Sequence, residues 1–133
     1  MKLGMIGLGR MGGNMAERLI NGGHQIVAYD SDDSAVALLA EKGASVAQSL
    51  SDVVSQLDPP RTVWAMIPAG EITENTLNDL IEILDTGDTL IDGGNSNYKQ
   101  SIRRAEHARQ NGIDFLDSGT SGGIWGLSNG YCL

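Results

Sequence analysis

Three glycines near the start of the chain, Gly7, Gly9 and Gly12 in the segment GLGRMG, have the spacing of a phosphate-binding turn. Between a strand and a helix, the first glycine allows a tight turn, the second lets a pyrophosphate approach the backbone, and the third lets the helix pack closely on the strand. The free N–H groups of the first helical turn would then face the anion. The alternatives are glycines that serve packing alone and an Arg10 that lies solvated in a loop. The segment predicts dinucleotide contacts from Gly7, Leu8, Gly9, Arg10, Met11 and Gly12.

An acidic residue at the end of the second predicted strand indicates which dinucleotide binds. Asp30 lies 18 positions after Gly12, close to the distance at which an acid hydrogen-bonds the adenosine ribose. Its carboxylate would repel a 2′-phosphate, as would Asp32 and Asp33, and no Arg or Lys stands between Asp30 and Lys42. The sequence therefore predicts NAD in preference to NADP. The alternative for Asp30 is an N-cap of the next helix, and the two roles can coexist.

Two further segments place distinctive residues where strands are predicted to end. AMIPAG contains Ile67 and Pro68, and IDGGNSN contains Asn95. Parallel sheets bind ligands at the carboxyl ends of their strands, near the point where strand order reverses, so we expect these three residues at the cofactor. The Asn95 amide can donate and accept hydrogen bonds, and so can orient a carboxamide or a substrate hydroxyl. Helix capping is the alternative for Asn95, although Asn97 is better placed for it.

Hydroxyls and glycines crowd the segment FLDSGTSGG, which includes the last predicted strand and the residues after it. Such a segment gives up core-forming side chains and lets the backbone approach a ligand. After a turn at Ser118 and Gly119, we expect exposed N–H groups and the hydroxyls of Thr120 and Ser121 to hold an oxygen-rich, anionic substrate in the same cleft. A flexible loop leading into another strand is the alternative. The predicted substrate contacts are Asn95, Ser121, Gly122 and Gly123.

The elements that must position these residues alternate between strand and helix. Short apolar runs predict the strands, and apolar positions at helical spacing predict the helices between them. The alternation predicts an α/β fold with right-handed crossovers: a Rossmann-type, doubly wound, mainly parallel sheet in three layers, α/β/α. We expect one such domain over residues 1–133, with Ile72 buried in the helix over 71–84 and the final run GYCL opening another strand. The predicted strands cover residues 2–6, 25–30, 45–46, 62–67, 89–92 and 113–117.

Composition and charge limit the possible partners. With 41% apolar and 20% charged residues, the 133-residue chain is typical of one soluble domain. Its net charge of −8 argues against a nucleic-acid partner, which would need a basic face. No apolar stretch is long enough to predict a membrane span. The single cysteine, Cys132, cannot form an internal disulfide, so we expect a reduced, cytoplasmic setting. We expect no metal site.

In combination, GLGRMGGNMAERL, LIDGGNS and FLDSGTSGG resemble the 6-phosphogluconate dehydrogenase family, within the β-hydroxyacid dehydrogenases, and GGIWGLSNGYCL looks like its shorter bacterial branch. The resemblance covers essentially the whole chain. It implies NAD(P)-dependent oxidative decarboxylation of 6-phosphogluconate to ribulose 5-phosphate by a homo-oligomeric parent enzyme of the pentose phosphate pathway and gluconate metabolism. By similarity, Asn95 would contact substrate and nicotinamide, and residues 121–123 would line the substrate site. NADP-preferring members tend to carry an arginine near the position of Asp30, so its surroundings here favour NAD.

The same resemblance implies that the catalytic groups lie elsewhere. The family's catalytic lysine, its neighbouring asparagine and its acid glutamate belong to a helical region beyond the nucleotide domain. We therefore expect no catalytic residue in this chain, a general base beyond Leu133, and an N-terminal piece of a longer enzyme that is inactive alone. The alternatives are a dehydrogenase for hydroxyisobutyrate or tartronate semialdehyde, and a non-catalytic NAD-sensing module. No suitable motif surrounds Lys2, Lys42, Lys99, His24 or His107.

Overall fold

The computed structural model describes all 133 residues, and its centre is one sheet of six strands. The strands are β1 (Lys2–Ile6), β2 (Gln25–Tyr29), β3 (Ser45–Val46), β4 (Thr62–Ala65), β5 (Thr89–Asp92) and β6 (Asp114–Asp117). In the sheet they lie in the order β3-β2-β1-β4-β5-β6, and every pairing is parallel. The chain winds outward from β1 and then, in the opposite direction, from β4. The switch point in strand order therefore lies between β1 and β4.

Helices connect the strands and cover both faces of the sheet. They are α1 (Arg10–Asn21), α2 (Asp33–Ala40), α3 (Leu50–Ser55), α4 (Glu71–Ile83), α5 (Tyr98–Gln110) and α6 (Gly126–Asn129), the last preceded by a 3-10 turn over Gly123–Trp125. None of these helices has the length and the apolar run that crossing a membrane requires.

Apolar side chains form a core on each face of the sheet. One cluster includes Val53 of α3 with Leu77 and Leu80 of α4. The other includes Met15 of α1 and Val36 of α2. Because each face buries the apolar side of its own helices, the predicted doubly wound, three-layer α/β fold is confirmed.

Short polar side chains begin three of the helices. Asp32, Ser49 and Asn97 each accept a hydrogen bond from a backbone N–H two or three residues later, at 2.9, 3.1 and 3.0 Å. Each bond satisfies one of the donors that a helix leaves free at its start. Asn97 thus caps α5, which leaves the Asn95 amide for other partners. Asp32 caps α2, so the capping alternative for Asp30 is wrong.

Two expectations about the elements differ from the structure. The run GYCL pairs as a strand at one residue only: at Gly130 the backbone has a φ of +96°, and Cys132 forms an isolated antiparallel bridge with Ser121 instead of joining the parallel sheet. Ile72 is not buried but 74% exposed. It lies in the first turn of α4, on the side that faces an open cleft and not the sheet.

Candidate functional site

A cleft of about 760 Å³ opens at the carboxyl ends of β1, β2, β4 and β5. It straddles the switch point, where parallel α/β sheets bind their ligands. Asp30 follows β2 and Asn95 follows β5. These two strands are three positions apart in the sheet, so at ~4.8 Å per strand their ends are separated by about 14 Å. Among the predicted cofactor contacts, Leu8 does not line the cleft, since its side chain is buried in the core. The others all line it: Gly7, Gly9, Arg10, Met11, Gly12, Asp30, Ile67, Pro68 and Asn95.

The three glycines of the first turn have the geometry that their spacing predicts. Gly7 has a φ of +85°, and a Cβ there would lie 2.7 Å from the Met66 carbonyl oxygen. A Cβ on Gly12 would lie 2.0 Å from the Gly7 carbonyl oxygen, so α1 packs directly against the turn. A Cβ on Gly9, in contrast, would meet no atom within 4 Å. The backbone at Gly9 is therefore open to the cleft, which is the fit that a dinucleotide pyrophosphate requires.

The first turn of α1 presents backbone donors at the same place. The Gly13 N–H donates to the Gly9 carbonyl at 2.8 Å, so the N–H groups of Arg10, Met11 and Gly12 precede the helix's own hydrogen bonds. No side chain caps this end of α1, and its first turn holds no acidic residue. These free donors and the helix dipole together favour an anionic group at this point.

Asp30 links the end of β2 to the glycine turn. Its Oδ2 accepts the Leu8 N–H at 2.5 Å, and its Oδ1 accepts the Asp32 N–H at 2.9 Å. The Ser31 hydroxyl also donates to Oδ1, at 3.4 Å, so Oδ2 is the oxygen with capacity for a further hydrogen bond. Hydrogen bonds from the hydroxyl and the N–H of Ser34 hold the pKa of Asp32 below its ordinary value. Asp32 is therefore ionised at neutral pH and adds negative charge beside Asp30.

A buried network holds the loop that follows β5. The fully buried Asp92 carboxylate accepts the Gly94 N–H at 3.0 Å and the Ser96 hydroxyl at 2.7 Å. Arg104 of α5 is 1% exposed, and its Nη1 donates to Asp92 at 2.9 Å and to the Ser96 oxygen at 2.8 Å. Its Nε donates to Glu74 of α4 at 2.9 Å. The buried cation thus meets two carboxylates, as its removal from water requires.

Glu74 is shared between two neighbouring arginines. Arg103 donates to its Oε1 at 2.7 Å, and Nη2 of Arg104 lies 2.7 Å from its Oε2 as an ion pair outside hydrogen-bond geometry. Burial raises the pKa of Glu74, but the hydrogen bonds and charges of Arg104 and Arg103 outweigh burial and hold this pKa below its ordinary value of 4.5. Glu74 is therefore ionised at neutral pH and ties α4 to α5.

Asn95 has an uncommon backbone conformation within this held loop. Among residues other than glycine it alone has a positive φ, +59°, a left-handed conformation that asparagine adopts more readily than most side chains. Its amide neither caps α5 nor belongs to the buried network. Asn95 is exposed and lines the cleft, so its amide is available to a ligand.

Sequence reasoning missed the contribution of α4 to the cleft. Ile72, Thr76 and Asp79 line it. Their spacing of four and three residues puts them on one helical face, and that spacing was the available signal. Because one of the three is apolar and two are polar, the face did not stand out as either a core stripe or a charged surface.

The segment after β6 is only partly at the cleft. Thr120 lines it, whereas Ser121, Gly122 and Gly123 do not. The Ser121 N–H and carbonyl both pair with Cys132, at 2.9 and 3.0 Å, so the expectation of a free backbone donor is wrong at Ser121. The substrate role of these three residues stays a prediction.

Comparison with known proteins agrees with this geometry. Residues 2–133 match the family model described as the NAD binding domain of 6-phosphogluconate dehydrogenase. The chain belongs to this family. It is therefore an NAD-binding, Rossmann-type domain of the kind found in oxidoreductases, and the predicted resemblance is confirmed.

Relatives extend well beyond the part that this chain matches. The NAD(+)-dependent, decarboxylating 6-phosphogluconate dehydrogenase of Haloferax volcanii is 44% identical over 133 residues, which cover 100% of this chain and 44% of the relative. The Plasmodium falciparum 6-phosphogluconate dehydrogenase, solved with its cofactor NADP+ and with its substrate, has a TM-score of 0.88 and 26% identity over 98% of this chain and 29% of its own. The 3-hydroxyisobutyrate dehydrogenase of Mycobacterium tuberculosis, solved with L-serine, has a TM-score of 0.85 and 26% identity, and the match covers 94% of this chain and 42% of the relative.

Proposed function

We propose that this chain is the cofactor-binding part of an enzyme that oxidatively decarboxylates 6-phosphogluconate to ribulose 5-phosphate with NAD(P)+. The observation that carries the proposal is the cleft, in which the glycine turn lies between Asp30 on the β2 side and Asn95 on the β5 side. The name of the 44% identical Haloferax relative supports the reaction. The activity would belong to the pentose phosphate pathway and gluconate metabolism, in a cytoplasmic homo-oligomer.

The cleft residues would divide the binding of a dinucleotide among them. The first N–H groups of α1 would hold the pyrophosphate, the Asp30 carboxylate would accept hydrogen bonds from the adenosine ribose, and Ile67 and Pro68 would add apolar contacts. Asn95 would orient the nicotinamide carboxamide and the substrate hydroxyl. When bound, the cofactor supplies the hydride acceptor. The contribution of this chain is to place the two reacting groups side by side.

We propose that groups outside this cleft carry out the proton transfers. No lysine or histidine lines it, and proton transfer requires a base within hydrogen-bond reach of the substrate hydroxyl. We place the general base and the acid beyond Leu133, in a helical region of a longer protein, with Ser121, Gly122 and Gly123 contributing to the substrate site. Residues 1–133 alone are then expected to bind NAD without turnover, and more weakly than the complete enzyme does.

A second candidate keeps the fold and changes the substrate. The Mycobacterium tuberculosis structure, with a TM-score of 0.85, favours a 3-hydroxyisobutyrate-type dehydrogenase. Both enzymes would oxidise a β-hydroxy acid, so the cofactor site alone does not choose between them. The difference lies in the group that the substrate loop must hold, a phosphorylated sugar acid or a short branched acid.

Two measurements test the proposal. Calorimetric titration of the chain with NAD and NADP should show binding of both, with NAD the tighter ligand by about tenfold or more. Assays of the longer protein with 6-phosphogluconate and with 3-hydroxyisobutyrate should show turnover of the first. Turnover of 3-hydroxyisobutyrate alone would replace the proposed reaction with the second candidate, and turnover by residues 1–133 would show that the base is misplaced.

A further inference from the structure

The loop after β5 is attached to the core on both sides of Asn95. Before it, the Gly94 N–H donates to Oδ1 of Asp92 at 3.0 Å; after it, the Ser96 hydroxyl donates to Oδ2 of Asp92 at 2.7 Å. One buried carboxylate therefore closes the loop around Asn95. The left-handed conformation of Asn95 persists because these surroundings hold it.

The position of that carboxylate depends in turn on Arg104. Its Nη1 lies between Oδ2 of Asp92 and Oγ of Ser96, at 2.9 and 2.8 Å. Without this cation the carboxylate would be a buried, unpaired charge, which a protein interior tolerates poorly. Glu74 holds the opposite edge of the guanidinium through Nε at 2.9 Å, which fixes the orientation of the planar fork.

We propose that Arg104 is a positioning residue of the cofactor site. Through Asp92 and Ser96 it fixes Asn95 in the conformation that presents its amide to the nicotinamide end of the dinucleotide. Arg104 does not line the cleft, so it acts on the ligand through the residues that it holds, and Asp92 and Ser96 are the two that reach the loop around Asn95. The identity of the ligand rests on the proposed function, whereas the positioning of Asn95 does not.

The neighbouring arginine provides a matched control. Arg104→Lys keeps the charge but replaces the fork by a single ammonium, which cannot serve Asp92, Ser96 and Glu74 together. Arg103→Lys makes the same change one residue earlier, at an exposed side chain that pairs with Glu74 and has no hydrogen bond to the loop. Hydrogen exchange at the Gly94 N–H should become about tenfold faster in the first variant and stay unchanged in the second.

Ligand binding gives the second readout. ADP-ribose lacks the nicotinamide, so it reports the adenosine and pyrophosphate contacts alone. Arg104→Lys should weaken NAD by about tenfold, the size of one hydrogen bond, and change ADP-ribose by less than about twofold. Asn95→Ala should give the same pattern. The double variant should lose no more than either single variant, because both changes remove the same contact.

A second variant covers the case in which Arg104→Lys does not fold. Ser96→Ala keeps the charges of Arg104 and Asp92 but removes the hydroxyl that connects them to the loop. It should therefore reproduce the faster exchange of the Gly94 N–H. Unchanged exchange in the folded variants overturns the proposal, and so does an equal loss of NAD and ADP-ribose affinity, which would mean that Arg104 only stabilises the fold. If the unmodified chain binds ADP-ribose as tightly as NAD, the proposed role of Asn95 fails, and the exchange result still decides the positioning.

Discussion

Replacing Gly9 by alanine should weaken dinucleotide binding about a hundredfold and leave the fold intact. Gly9 is the N-cap of α1 with a φ of −57° and a ψ of −176°, a conformation open to alanine, and its Cβ would meet no atom within 4 Å. Alanine is a poorer N-cap than glycine by roughly 1 kcal/mol, and the reduced freedom of the unfolded chain offsets about 0.4–1 kcal/mol of this. The melting temperature should therefore move by no more than about 5 °C.

The loss of binding follows from where the added methyl group projects. It would occupy the space through which a pyrophosphate must approach the N–H groups of Arg10 and Met11. Hydrogen bonds to a charged group contribute about 1.5–3 kcal/mol each, so the loss of two costs about 3 kcal/mol. This is roughly a hundredfold increase in the dissociation constant of NAD. Adenosine has no phosphate, and its weaker binding should not change.

Calorimetric titration with NAD and adenosine, together with a thermal melt, checks both parts of this prediction. Unchanged NAD affinity in a Gly9→Ala variant with native melting would show that the pyrophosphate does not lie over Gly9. Loss of the folded state would contradict the prediction that the fold accommodates alanine at this position, and would mean that Gly9 serves packing alone.

Three further predictions follow from packing, exposure and charge. Gly12→Ala should destabilise the fold by roughly 2–3 kcal/mol, because its Cβ would lie 2.0 Å from the Gly7 carbonyl oxygen; a denaturant midpoint equal to that of the unmodified chain would contradict this. Ile72→Ser should change stability by less than about 0.5 kcal/mol, since the side chain is 74% exposed, yet weaken NAD several-fold in a calorimetric titration because apolar surface leaves the cleft. Acid should destabilise the fold, because the pKa values of Glu74 and Asp88 lie below their ordinary 4.5 and 3.8. At the buried Asp88, burial raises the pKa, but hydrogen bonds from the Arg61 and Asp85 N–H groups and from the Arg61 guanidinium outweigh it. The stabilisation from Glu74 and Asp88 is present above those ordinary values and is lost as the pH falls through the lower pKa values of the folded state; melting temperatures from neutral to acid pH measure the decline, which Glu74→Gln should flatten.

The parts of the site that act through local backbone geometry could be predicted from the sequence. The glycine turn is one example, because Gly7, Gly9 and Gly12 act within six positions of one another and between a strand and a helix. Asn97 is another, because a cap bonds an N–H only two residues away. GYCL was hard to interpret because a run of four residues is too short to show a period, and in the structure its Cys132 and Leu133 are exposed.

The parts that depend on how elements pack could not be predicted. Arg103 and Arg104 are adjacent and identical in type, yet one lies on the surface and the other is 1% exposed, because α5 packs against β6 and α4 and turns only Arg104 toward the buried Asp92. Ile72 is an example of a residue that was predicted to be buried and is exposed. Its spacing fits the buried stripe of α4, but in the first turn of that helix the side chain lines the open cleft.

We assign two roles to Asp30: it holds the glycine turn, and it would contact the adenosine ribose. A substitution affects both roles, so an experiment must separate them. Because Oδ2 accepts the Leu8 N–H at 2.5 Å, Asp30→Ala would loosen the turn and weaken every ligand that carries the pyrophosphate. The ratio of NAD to NADP affinity reports the ribose contact alone. Both ligands carry the pyrophosphate, so a looser turn weakens both, whereas only NADP has a 2′-phosphate for the carboxylate to repel. Like charges about 4 Å apart repel by roughly 1–4 kcal/mol between bulk water and a protein surface, so Asp30→Ala should lower the ratio by about tenfold. Asp30→Asn keeps an oxygen for Leu8 and should lower the ratio similarly with less loss of NAD affinity; an unchanged ratio in both variants would mean that the carboxylate serves the turn alone.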